Sequence, residues 1–305
     1  MNNIDNLLKQ WEVFEKSNET SIKTITLYKD RIYKFNVFMN GHILETSEDD
    51  FRKYKTEMLS KYSPRTFNQH RCALVSFFDF LVGNNSIKHN PIIKVVSADT
   101  SKLEKNKLPL SLEEVKNLLN IVRVIKRNKV RNIAILEIFS KTGLRVEEVK
   151  ELKLNQVKDK EVWNDVRVKG GRIRIVDLTF LPEVKQAIDD YIINARPQTN
   201  NEYLFISETG NQMSINALQN LVKYYGKKIN RPDITPHTFR STLADSVLAF
   251  KGDTVLAQIV IGHKVNNLVV HRHYTNPYTR AKLASRVVRQ LFDEYNEDYD
   301  FDSLI

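Results

Sequence analysis

Apolar residues recur at helical spacing in four stretches upstream of residue 97: Leu7, Leu8, Trp11 and Phe14; Ile25, Tyr28, Ile32 and Phe35; Phe51, Tyr54 and Met58; and Leu74, Phe77, Phe78 and Leu81. Each set places its apolar side chains on one helical face. The pattern predicts a small all-helical domain over residues 1–97. Its last long helix opens at Ser63-Pro64, a cap followed by a proline that fits the first helical position. Arg65, His70 and Arg71 follow on the early turns, where a backbone phosphate could reach them. From about residue 98 to 108 the periodicity disappears and the chain turns polar, between Asn90-Pro91 and Leu108-Pro109. That is the composition of an exposed linker, and it predicts a second domain over 109–305.

The second domain starts with a capping-box spacing, Ser111 and Glu114, and a helix expected to run to about Ile125. Ile133, Leu136, Ile138 and Phe139 predict a buried helix that stops at Thr142-Gly143. After the restart Val146, Val149 and Leu152 face inward, which leaves Arg145 on a turn against the core with Glu148 in pairing range on the same helical face. Between Val162 and Leu178 the period becomes two. Val166 and Val168 alternate with Arg167 and Lys169, and beyond Gly170-Gly171 Ile173 and Ile175 alternate with Arg172 and Arg174. This reads as a β-hairpin with Lys169 at its tip. A helix from Leu181-Pro182 and a short strand over Tyr203-Leu204-Phe205-Ile206 follow. Ser214 then caps a helix through Ile229, whose stripe is Leu218, Leu221, Val222 and Tyr225 and which also carries Lys223, Lys227 and Lys228. Thr235-Pro236 opens a further helix with His237 and Arg240 three apart. Another, Val255 to Ile261, stops at Gly262. The expected class is mainly α, with an all-helical first domain and an α+β second domain holding one small hairpin sheet.

Composition narrows the partner. The 305 residues are 41% apolar and 28% charged, ordinary for a globular chain, but Lys and Arg outnumber Asp and Glu to give a formal charge of +10. An excess of this size points to a polyanion. The N-terminus lacks a signal pattern and no apolar run approaches a membrane span, so nucleic acid is preferred over a membrane surface and the expected location is cytoplasmic. The single Cys72 can form no internal disulfide and has no zinc-site spacing.

Chemistry converges on phosphate. Arg145 and Arg240 each carry a planar fork of donors that suits the nonbridging oxygens of a phosphate. His237, at the start of the same helix as Arg240, brings an imidazole that can serve as a base or hydrogen-bond acceptor. The strings Thr142-Gly143-Leu144-Arg145-Val146-Glu147-Glu148, Lys169-Gly170-Gly171, His237-Thr238-Phe239-Arg240, Gly262-His263 and Tyr274-Thr275, in that order, resemble the tyrosine recombinase (phage integrase) family. Ser63-Pro64-Arg65 through Phe77-Phe78-Asp79-Phe80-Leu81 to Asn90-Pro91 is similar to its SAM-like core-binding domain, and the likeness covers nearly the whole chain.

The resemblance implies a core-binding domain followed by a catalytic domain of the DNA breaking-rejoining type, Xer-like and without an arm-binding domain, since the first helix starts almost at Met1. It implies a site-specific recombinase that joins duplexes through a 3′-phosphotyrosyl intermediate and a Holliday junction. Tyr274 would be the nucleophile, Lys169 the proton donor to the 5′-oxygen, Arg145, Arg240 and His263 the charge stabilisers, with His237 and Glu148 in support. Arg172 is a poorer proton donor than Lys169, because a guanidinium holds its proton more tightly. The interval from Gly262-His263 to Tyr274 is longer than is usual in the family, so Tyr278 competes as nucleophile, although Asn276-Pro277 is expected to end the local helix before it. Arg65, Arg71, Arg172, Lys223, Lys227 and Lys228 are the expected DNA contacts. His263, His271 and His273 lack the spacing of a zinc site and sit among basic residues, so neither metal nor cofactor is expected. The implied assembly is a homotetramer on two duplexes, alone or with a paralogous recombinase, acting in integration, excision or resolution of mobile elements or replicon dimers. The acidic, aromatic tail from Leu291 is expected to dock on a neighbouring protomer. A type IB-like topoisomerase and a non-catalytic DNA-binding protein are the alternatives.

Overall fold

The computed structural model describes residues 3–100, 108–167, 171, 173–262 and 277–301, with side-chain surroundings within these from residue 4 to residue 294. The chain divides into two compact units, Met1–Asn106 and Lys107–Ile305.

The first unit is built on α1 (Asn3–Ser17), α2 (Ile22–Phe38), α3 (Glu48–Lys61) and α4 (Pro64–Gly83), with a 3₁₀ turn at Ile43–Glu45. Serine caps begin three of them. Ser21 accepts from Thr24 N, Ser63 from Thr66 N ahead of Pro64, and Ser47 exchanges bonds with Asp50 in a capping box. The apolar stripes meet in an aromatic core of Trp11, Phe35, Phe51, Phe67, Phe77 and Phe78. Phe35 sits edge-on to Tyr54 at 4.8 Å and to Phe51 at 5.8 Å, the geometry that ring quadrupoles favour. The chain after α4 stays with this core. Ile92, Val95 and Ala98 are buried, and the Asn68 side chain bonds both the N–H and the C=O of Ala98. Residues expected to open the linker at 98 are thus held to the first unit, because Asn68 supplies the backbone partners that water would otherwise provide.

The second unit contains α5 (Leu112–Val124), α6 (Lys129–Thr142), the short α7 (Val146–Lys150) and α8 (Leu154–Val157), the strands β1 (Val162–Arg167) and β2 (Ile173–Asp177), then α9 (Pro182–Asn194), α10 (Ile215–Lys228), α11 (Pro236–Lys251), α12 (Thr254–Val260) and α13 (Pro277–Phe301). Helix α6 is the centre. It packs against α5, α9 and α11, and from Ala134 to Thr142 every residue is buried. Ser111 and Glu114 form the capping box expected at the start of α5, and Ser214 caps α10 by accepting from Ala217 N. Tyr203–Ile206, expected as a strand, forms only isolated bridges from Tyr203 to Lys153 and from Ile206 to Gln212. Its apolar residues Leu204, Phe205 and Ile206 are buried without a continuous ladder.

The hairpin departs from simple alternation. Trp163 pairs with Val176 and Val166 with Arg174, so β1 has one residue more than β2 between the two pairs. This extra residue is a β-bulge, which resets the faces of the bulged strand. Trp163 and Val166 consequently share the buried face although they are three apart, and Arg174 and Val176 lie opposite them. Ile173 is 65% exposed. The inward position belongs to Arg174.

The tail expectation also changes. Leu291 is buried and Phe292 partly buried in the second unit's own core, with Val287 and Val288 beside them. The Lys141 ammonium lies 5.4 Å from the Phe292 ring centroid and 3.5 Å from Glu183, which accepts from Arg289 at 2.6 Å. Leu291 and Phe292 anchor α13 within the chain and are not presented for docking elsewhere. Among the described residues no helix is long and apolar enough to cross a membrane.

Candidate active site

Helix α6 ends at Gly143, whose φ of 59° is left-handed and favours glycine. A Cβ there would lie 3.3 Å from both Ile261 Cα and Leu243 Cδ2, so the turn is pressed against the end of α12 and the body of α11. Two residues on, Arg145 occupies the N-cap of α7. Glu148 folds back to accept from Arg145 N at 3.0 Å and from Arg145 Nη1 at 2.7 Å. One carboxylate therefore caps the helix, where negative charge is favoured, and fixes the guanidinium in one orientation. Glu148 is 2% exposed, whereas the Arg145 side chain is about a third exposed at 32%.

Two further guanidiniums approach this turn from other elements. Arg240, on the second turn of α11, is 2% exposed and its Nη1 donates to Gly143 O. Arg174, from β2, donates through Nη2 to Thr142 O at 2.9 Å and Val260 O at 2.8 Å and through Nη1 to Gly143 O at 3.4 Å, and Nη1 lies 3.8 Å from Glu148 Oε2. Gly262, with φ 65°, leaves room for it: a Cβ there would be 2.6 Å from Arg174 Nε. Burial, with Arg145 and Arg174 nearby, pushes the Arg240 guanidinium down to about 9. Burial likewise lowers Arg174 to about 10, opposed by Glu148 and reinforced by Arg145.

Three cations thus surround one carboxylate, and Arg240 Nη2 is buried there with no hydrogen-bond partner among the described residues. A buried charged donor left unpaired is costly. The arrangement calls for an anion with acceptor oxygens, and a phosphodiester fits that need.

His237, in the first turn of α11, is exposed, although Arg240 three residues later is buried. The two side chains thus have different surroundings. Thr235 N donates to Thr238 Oγ1 at 3.0 Å and closes that turn. Lys169, Arg172, His263 and Tyr274, with His271 and His273, lie outside the described residues. Tyr278 is 53% exposed in the first turn of α13, a helix that Pro277 opens. Among the described residues no group of three or more His, Cys, Asp or Glu could hold a metal ion.

Of the expected DNA contacts, Arg65 is exposed on the first turn of α4, and Lys223, Lys227 and Lys228 are exposed on α10. Arg71 is different: it donates to Val95 O at 2.7 Å and Ile93 O at 3.4 Å, holding the end of the first unit in place. His70 is buried, not poised for phosphate. Its Nδ1 shares a 2.8 Å hydrogen bond with Tyr54 OH, and burial pushes its pKa down to about 4. Arg174 is the site residue that the alternation of β2 concealed. The signal that could have found it is Arg174-x-Val176-x-Leu178, which places the arginine in phase with two buried apolar residues.

Comparison with known proteins agrees with this geometry. The family model of the phage integrase family matches residues 109–280, and that of the phage integrase N-terminal SAM-like domain matches residues 7–87. The tyrosine recombinase XerC of Roseiflexus castenholzii is 26% identical over 278 residues, covering 85% of this chain and 86% of that protein. The tyrosine recombinase XerD of Listeria innocua is 26% identical over 271 residues, covering 84% and 89%. Among solved structures, the Tn1549 transposon integrase in complex with circular intermediate DNA has a TM-score of 0.65 at 19% identity, covering 90% of this chain and 97% of that one. The XerH site-specific recombinase bound to palindromic difH substrate has a TM-score of 0.66 at 17% identity, covering 95% and 83%. These two likenesses establish the fold, and the family follows from the match over 109–280: this chain belongs to the phage integrase family, the tyrosine recombinases.

Proposed function

We propose that the protein is a site-specific DNA recombinase that cuts and rejoins duplex DNA at the site built around Gly143. The observation that carries this reading is the buried, partnerless Arg240 Nη2, next to Arg145 and Arg174 and with only Glu148 to offset them among the described residues. A scissile phosphate supplies the missing acceptors. Its nonbridging oxygens gain charge as the phosphorane forms, so donors already fixed by Glu148 and Gly143 O stabilise the transition state more than the ground state.

In this mechanism the Tyr274 oxygen attacks phosphorus and forms a 3′-phosphotyrosyl bond as the bond to the 5′-oxygen breaks. Lys169 gives its proton to that oxygen, and His237 takes or orients the tyrosine proton. Arg145, Arg240 and His263 bind the charged phosphoryl oxygens, and Glu148 holds Arg145. A 5′-hydroxyl from the partner duplex reverses the chemistry, so strand exchange needs no cofactor and no nucleotide. Residues 1–97 act as the core-binding domain and 109–305 as the catalytic domain, with Arg65, Arg172, Lys223, Lys227 and Lys228 meeting DNA phosphates. Arg71 acts indirectly, by shaping the first unit. The working form is a cytoplasmic homotetramer on two duplexes, serving a mobile element or replicon dimers.

The test is a plasmid carrying two copies of a duplex site selected from a randomised pool by the protein itself. Exchange between the two copies in EDTA supports the reading. Relaxation of supercoils without exchange, equally on a plasmid lacking the sites, would instead indicate a topoisomerase.

A further inference from the structure

The three guanidiniums around Gly143 do different work. Arg145 is partly open to solvent and Arg240 keeps one nitrogen without a hydrogen-bond partner among the described residues, so both retain donors for a ligand. Arg174 is committed to the protein. Its terminal nitrogens are directed at the carbonyls of Thr142, Gly143 and Val260, and its side chain is 13% exposed.

Those carbonyls have a common origin. Thr142 O and Gly143 O close α6, and Val260 O closes α12. The last turns of helices leave carbonyls unpaired and attract cations. One planar guanidinium from β2 satisfies two such termini at once, which a single ammonium has no fork to do. Each terminus also sets the path of the chain into the site. The backbone leaves α6 directly into Leu144-Arg145, and it leaves α12 through Ile261-Gly262. Gly143 O also receives Arg240 Nη1, and Glu148, which fixes Arg145, faces Arg174 at 3.8 Å. Every described support of the phosphate-facing arginines therefore touches Arg174. The packing is close: a Cβ at Gly262 would come within 2.6–2.9 Å of Arg174 Nε, Cζ and Cδ.

We propose that Arg174 is a positioning residue for the cleavage reaction, holding Arg145 and Arg240 at the nonbridging oxygens through Gly143 O and Glu148 without itself touching DNA. The inference rests on the recombinase reading of this site. Loss of the fork misplaces the donors that face nonbridging charge and leaves DNA contacts elsewhere in the protein intact.

The experiment compares wild type, Arg174→Lys and Arg174→Met in single-turnover formation of the covalent protein–DNA adduct, with saturating protein on a nicked suicide duplex. The scissile linkage is either an ordinary phosphate or a methylphosphonate, in which a methyl group replaces one nonbridging oxygen and removes the charge that the arginines stabilise. On phosphate, Arg174→Met should lose about 100- to 1000-fold in rate and Arg174→Lys about 10-fold or more, the range for removing one preorganised donor from such a site. Duplex affinity should change little. On methylphosphonate both defects, relative to wild type on the same linkage, should shrink by about 10-fold or more. Equal losses on the two linkages would mean that Arg174 only holds the fold together and would overturn the proposal. So would a wild-type rate for Arg174→Met. If Arg174→Met does not unfold cooperatively, the same comparison stands on Arg174→Lys. A wild-type protein that forms no adduct on phosphate refutes the recombinase reading, before residue 174 is at issue.

Discussion

Replacing Glu148 by Gln removes the one described carboxylate among three guanidiniums while keeping the shape of the side chain. The carboxylate lies 2.7 Å from Arg145 Nη1 and 3.8 Å from Arg174 Nη1. Two unit charges about 4 Å apart interact by about 4 kcal/mol at an effective dielectric near 20. The Arg145 contribution must be discounted, since its side chain is 32% exposed and water screens it. Losing the carboxylate also removes its own desolvation cost, and the glutamine oxygen can still accept from Arg145 N or Nη1. A net destabilisation of about 2–3 kcal/mol results, somewhat below the range for breaking a fully buried pair. For a unit of this size that corresponds to a fall in Tm of about 5–10 °C. The sign of a second effect is distinctive. With Glu148 neutralised the pocket is more positive, so sulfate or a DNA duplex should recover more stability in Glu148→Gln than in wild type. Thermal unfolding with and without sulfate measures both. A loss under about 0.5 kcal/mol, typical of a surface substitution, would refute the idea that Glu148 holds a cationic cluster together, as would an equal effect of sulfate on the two proteins.

Gly262→Ala combines a left-handed φ of 65° with a clash against the pinned Arg174 side chain; it should cost about 2–4 kcal/mol by urea unfolding and slow adduct formation sharply. His70, pushed down to about 4 from an ordinary value of 6.5, is neutral when folded. The unfolded chain takes up its proton first, so its stabilising effect is complete above pH 6.5 and is lost as pH falls towards about 4. The loss should reach about 2 kcal/mol by pH 5, and His70→Asn should flatten that part of the pH–stability profile. In the proposed mechanism Arg145 and Arg240 take the role that a metal would fill, so adduct formation should persist in excess EDTA; abolition by chelation and recovery with one divalent ion would contradict this.

The parts of the fold written in local chemistry were readable from the sequence. Ser63-Pro64, Ser111 with Glu114, Ser214 and Gly143 each act on neighbours within a few residues, and the helices begin or end there. The Arg145–Glu148 pair was legible for the same reason. Arg174 was not, because its face depends on a bulge in the opposite strand: alternation alone left the face open, and the register gives the inward position to the arginine. Arg71 and His70 show a related limit. Both have the charge or ring that suits a phosphate, but Ile93 and Val95 engage one and Tyr54 the other, across sequence separations that periodicity does not encode. For Leu291 and Phe292, the acidic surroundings suggested an outward tail, while Lys141 and the core draw these two side chains inward.

The claim on which everything else depends is that Tyr274 becomes covalently joined to a DNA 3′-phosphate. A nicked suicide duplex, built on the selected site and labelled on the strand bearing the scissile phosphate, traps that state because the freed 5′ fragment diffuses away. The adduct, digested and sequenced by mass spectrometry, should carry the nucleotide on Tyr274 and leave a free 5′-hydroxyl on the released piece, and Tyr274→Phe should bind the duplex yet trap nothing. A nucleotide on Tyr278, or an undiminished adduct from Tyr274→Phe, would contradict the account.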